Sequence, residues 1–76
     1  MNALIVEYKS VLSKIDELLL LGAHMSDDVR REIAWARREA RLSLLNNKKT
    51  EAQRTIARLR SLFEKLENAE RDRFPF

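Results

Sequence analysis

Arg30, Arg37 and Arg41 recur at intervals of seven and four residues, and Arg31 and Arg38 repeat the seven-residue step one position further on. At about 100° per residue, a helix brings the first three onto one face and sets the other two beside them. A guanidinium is a planar fork of donors that matches phosphate or carboxylate oxygens. Arg54 and Arg58, four residues apart, extend the set. The chemistry on offer is anion binding. Nucleic-acid phosphates are one candidate, with the salt-sensitive affinity that follows. An acidic protein is the other. No aromatic side chains interleave with these arginines for base stacking, and neither zinc-finger spacing nor a helix-turn-helix signature is present. A plain solvated helix face, partly neutralised by Glu32, Glu39 and Glu51, accounts for the same residues.

A second set mixes charge with apolar bulk. Arg31, Trp35, Arg38 and Leu42 step by four, three and four residues and form one helical ridge. Tryptophan and arginine are the residues most enriched at interface hot spots. The ridge points away from Val29, Ile33, Ala36, Ala40 and Leu44, which make the apolar stripe expected to face a core. One helix with two apolar sides cannot bury both in a small bundle, so the ridge predicts either a contact surface or packing on a neighbouring helix. Val6, Leu20 and Leu21 likewise fall off the main stripe of the first helical segment.

Charge is unevenly spread. The net value of +3 over 76 residues conceals −3 across residues 1–29, where two basic side chains face five acidic ones. Residues 30–60 carry ten basic against three acidic side chains, a balance of +7. An acidic partner would be drawn to that middle third.

Catalytic chemistry finds little material. The chain has no cysteine, one histidine (His24) and one glycine (Gly22). That excludes thiolate metal sites, disulfides and a glycine-rich phosphate loop. Asp27 and Asp28 suit the first turn of a helix, where the dipole favours negative charge. The expectation is therefore no catalytic residues, no metal, no cofactor and no small-molecule substrate. The longest purely apolar runs, Ala3–Val6 and Leu18–Leu21, fall far below the ~20 residues of a membrane span. No charged leader of secretory type opens the chain. A cytoplasmic protein without a membrane partner is expected.

The elements that must position these residues are helices. No glycine or proline occurs between Ala23 and Phe74, and both residue types break helices. Helix one is expected over about residues 2–21, from Asn2 as cap, with Leu4, Tyr8, Val11, Ile15 and Leu18 as its stripe. Ile5, Leu12 and Leu19 flank that stripe at intervals of seven. Gly22 suits the left-handed position that closes a helix. Helix two is expected over about 27–45, capped by Ser26. Helix three is expected over about 50–72, with Ala52, Ile56, Leu59, Leu62, Phe63, Leu66 and Ala69 inward. Thr50-Glu51-Ala52-Gln53 has the form of a capping box.

The predicted fold is all-α, one domain over residues 1–76, a small three-helix bundle. Its competitor is a short helix on one long helix with a coiled-coil second half. A 4, 3 spacing runs unbroken from Arg31 through Leu42, Leu45, Lys49, Ala52, Ile56 and Leu66 to Glu70. The paired asparagines at 46–47 favour a break. The segment Ala40–Leu59 resembles the helical hairpin of a tetratricopeptide repeat, with Ala40 and Ala52 near its small positions and Ile56 near its large one. It lacks that repeat's glycine, tyrosine and proline and has no second copy, so the resemblance is one of packing geometry.

These readings converge on a non-enzymatic protein-interaction module, a regulator, adaptor or chaperone-like subunit. It would act as a homodimer or within a heteromeric complex, through Arg31, Trp35, Arg38 and Leu42. The alternative is a basic nucleic-acid binder using Arg30, Arg37, Arg38, Arg41, Arg54 and Arg58. Phe74-Pro75-Phe76 is expected to serve as a docking tail, to fold back over a core edge or to stay disordered.

Overall fold

The computed structural model describes residues 2–73, so the Phe74-Pro75-Phe76 tail lies outside the described residues. Three helices follow in order: α1 (Asn2–Leu20), α2 (Asp27–Leu45) and α3 (Lys49–Arg73). They pack together as a small three-helix bundle, with no strand among the described residues. The long dimension of 41 Å follows from α3, whose 25 residues span about 37 Å at a rise of about 1.5 Å each.

Both breaks are made by left-handed residues. After α1, Gly22 takes φ +91°. Its N–H donates to Leu19 O (3.1 Å) and the Ala23 N–H donates to Leu18 O (3.0 Å). After α2, Asn47 takes φ 56°. Its N–H donates to Leu44 O (3.3 Å) and the Lys48 N–H donates to Ser43 O (2.8 Å). Each pair of bonds is a Schellman closure, which satisfies the carbonyls left over at a helix end. The second closure disposes of the long-helix alternative: α2 and α3 are separate.

Ser26 caps α2 as expected, its Oγ accepting from the Val29 N–H at 3.3 Å. Two expectations about helix starts need correction. α3 begins at Lys49, and its first turn closes with Ala52 N–H donating to Lys48 O at 2.9 Å. Thr50 is thus inside the helix and not at the cap position of a capping box. Asn2 is likewise the first helical residue.

The core is one cluster: Leu4, Val11 and Ile15 from α1; Ile33, Ala36 and Ala40 from α2; Ala52, Ile56, Leu59, Leu62 and Leu66 from α3. Ile15, Ile56 and Leu59 are its largest fully buried side chains. Burying such a side chain contributes about 1.5–3 kcal/mol. Ala69, expected inward, is exposed. Ala36, Ala40 and Ala52 are fully buried, and their small size lets α2 and α3 approach closely. α3 packs against both other helices, whereas α1 and α2 barely touch each other. What joins that open side is the Tyr8 hydroxyl, which donates to Arg37 O at 3.3 Å. At the far end, the His24 N–H donates to Glu70 Oε1 at 3.0 Å and ties the α1–α2 connection to α3.

Candidate interaction surface

The residues that cap and pack α2 also fix what it shows to solvent. With Ile33, Ala36 and Ala40 held inward, the helical period turns Arg31, Trp35, Arg38, Leu42 and Leu45 outward. Trp35 keeps 52% of its surface exposed, Leu42 47% and Leu45 69%. Trp35 therefore does not fill the monomer core. Leu45 belongs to the ridge although the sequence reading left it out; the signal was the continued 4, 3 step from Leu42. Val6 and Leu20 on α1 and Leu21 just past its end are exposed, as their off-stripe positions imply.

Two shallow grooves flank the ridge. The first, about 440 Å³, lies between α1 and α2 and is lined by Tyr8, Arg37, Arg38, Arg41, Leu42 and Leu45. Its walls hold three guanidiniums and no carboxylate. Among the described residues, Arg37, Arg38 and Arg41 make no ion pair. Tyr8, expected simply as a core stripe residue, sits half-buried at this groove's edge.

The second groove, about 420 Å³, lies between α2 and α3 and is lined by Trp35, Glu39, Ser43, Glu51, Arg54, Thr55 and Arg58. Here cations and carboxylates alternate. Arg58 pairs with Glu32 at 3.3 Å across the two helices, with both side chains about half exposed. The arginines predicted as one patch are thus divided. Arg37 and Arg41 line one groove, while Arg54 and Arg58 line the other. Arg30 pairs with Asp27 at 3.8 Å within the first turns of α2, both side chains largely exposed. On the remaining side Arg60 donates to Glu7 and joins α3 to α1.

Among the described residues no group of three His, Cys, Asp or Glu side chains is placed to hold a metal ion. Among the described residues no helix is long and apolar enough to cross a membrane. The fold and surface together define the class: an all-α three-helix bundle whose middle helix carries an outward apolar ridge beside a cationic groove. In comparisons with known proteins, no family model, no curated protein sequence and no solved structure matches this chain.

Proposed function

We propose that this protein is a non-enzymatic interaction module that docks another protein chain on the outer face of α2, as a homodimer or within a heteromeric complex of the cytoplasm. The observation that carries this reading is the exposure of Trp35, Leu42 and Leu45 on one ridge, framed by Arg31 and Arg38. Covering such side chains releases the hydration cost of apolar surface, at about 25 cal/mol per Å² before the costs of association are subtracted. A duplex nucleic acid has no apolar surface of matching shape to offer this ridge. The division of the arginines between two grooves, one of them already furnished with carboxylates, further disfavours a continuous phosphate track.

The test is photo-crosslinking in the source cells. A photoreactive residue at position 42 is expected to give discrete protein adducts, either at twice the chain's mass or with another chain. The same group at exposed Lys65, away from the ridge, gives none of them. Adducts to nucleic acid alone, or none at either position, would overturn the reading. Light scattering on the Trp35→Ala, Leu42→Ala double variant provides the second arm: any assembly of the unaltered chain should be lost.

A further inference from the structure

We infer that the groove between α1 and α2 receives an acidic amphipathic helix from a partner protein, which takes the position of a fourth helix against this bundle. The inference rests on the interaction-module reading above and names the partner's chemistry. Three observations carry it.

The first is the gap itself. α3 packs on both neighbours while α1 and α2 stay apart, joined at the Tyr8 hydroxyl. The second is the apolar strip on α1 beside Tyr8, the residue through which α1 lines the groove. Ile5, Leu12 and Leu19 repeat every seven residues, and at about 100° per residue they fall within about 60° of Tyr8 on the same flank of α1. Ile5 and Leu19 are exposed and Leu12 is partly so. A heptad step along the flank beside the groove is a seam that a helix laid over Tyr8 would cover. Leu42 and Leu45 supply apolar surface on the opposite wall. The third is charge. Arg37, Arg38 and Arg41 line the α2 wall without an ion pair among the described residues. The occupant needs carboxylates along the edge that meets α2 and leucine-like side chains along the edge that meets α1.

A second copy fits this groove poorly. Groove against groove across a twofold axis would set Arg37, Arg38 and Arg41 against their own counterparts, and like charges in apposition disfavour docking. A nucleic-acid strand would satisfy the guanidiniums and leave Ile5, Leu12 and Leu19 uncovered.

The probe is a labelled synthetic peptide of about 20 residues, matching the length of α1, with leucines at heptad spacing and glutamates along one edge. Its counterpart carries lysine for every glutamate. Fluorescence anisotropy against the full chain should show saturable binding of the acidic peptide, weakening as salt rises, and none of the basic one. Arg37→Glu with Arg41→Glu should weaken binding by at least about tenfold, as loss of close charge pairs does. Arg37→Gln with Arg41→Gln should give a smaller loss, and circular dichroism should report unchanged helix content in both. Equal binding of the two peptides, or no effect of charge reversal, overturns the inference. So does tighter binding of a duplex DNA of similar length. If these fail while position 42 still gives protein adducts, the groove assignment falls and the docking ridge stands. Loss of both removes the interaction module altogether.

Discussion

The two grooves beside α2 hold nearly the same volume, about 440 and 420 Å³, and differ in what surrounds it. On the α3 side the helices meet over fully buried Ala36, Ala40 and Ala52, and Glu39 and Glu51 share the groove lining with Arg54 and Arg58. On the α1 side the helices stand apart and arginines face open space. The lesson is that small residues decide which side of a helix closes. Alanines bring two backbones near enough for Glu32 to reach Arg58; a helix kept at a distance leaves its guanidiniums without an ion pair among the described residues.

The contrast can be broken or sharpened in order of effect. Leu59→Ala removes a fully buried side chain where all three helices share one core. It should cost about 2–5 kcal/mol in urea unfolding and threaten a chain of this size, whose whole stability is about 4–11 kcal/mol. Ala40→Leu forces bulk into the α2–α3 seam and should cost about 1–3 kcal/mol. The same change at exposed Ala34 should stay within about 0.5 kcal/mol, which isolates packing from helix propensity. If Ala40→Leu were tolerated as well as Ala34→Leu, the seam would not be close-packed and the comparison would lose its basis.

Asn47→Ala places a side chain with no local hydrogen-bonding help in a left-handed conformation and should cost about 1–2 kcal/mol. Asn47→Gly should hold or raise the melting temperature. The reverse order would show that the break between α2 and α3 does not depend on this residue. Glu32→Gln breaks a half-exposed ion pair and should cost under about 1 kcal/mol, less still in high salt. The smallest change is expected from Arg37→Gln with Arg41→Gln. Removing two cations that make no ion pair among the described residues should leave stability within about 0.5 kcal/mol or raise it slightly. A clear loss of stability would mean that these arginines serve the fold and not a partner.

Much of this was legible in the residues. Glycine and proline at the margins, Ser26 before two aspartates, and Gly22 after a leucine run marked helix ends by local chemistry that needs no tertiary context. The inward stripes of α1 and α2 followed from the period alone. The surface was legible only in part. Trp35 and Leu42 stood off the core stripe, but whether another helix would cover them depended on where α1 came to lie. Tyr8 continues the α1 stripe and Leu45 the 4, 3 register, so the period alone does not place either at the groove. The arginines looked like one patch because a helical wheel places residues on a face and says nothing of the neighbour beside that face.

The same limit explains the 4, 3 register that runs from Arg31 to Glu70. In α3 its positions Ala52, Ile56, Leu59 and Leu66 are buried; in α2 its positions Arg31, Trp35, Arg38, Leu42 and Leu45 are exposed. One left-handed residue at Asn47 separates the halves and turns them to different environments. Sequence by itself determined helicity, the helix ends marked by Gly22 and Ser26 and two of the three core stripes, because those rest on interactions within a few residues. Tertiary structure alone decided which apolar face was left uncovered and which arginines found carboxylates. Both depend on distances between helices, set by the volumes of side chains far apart in the chain.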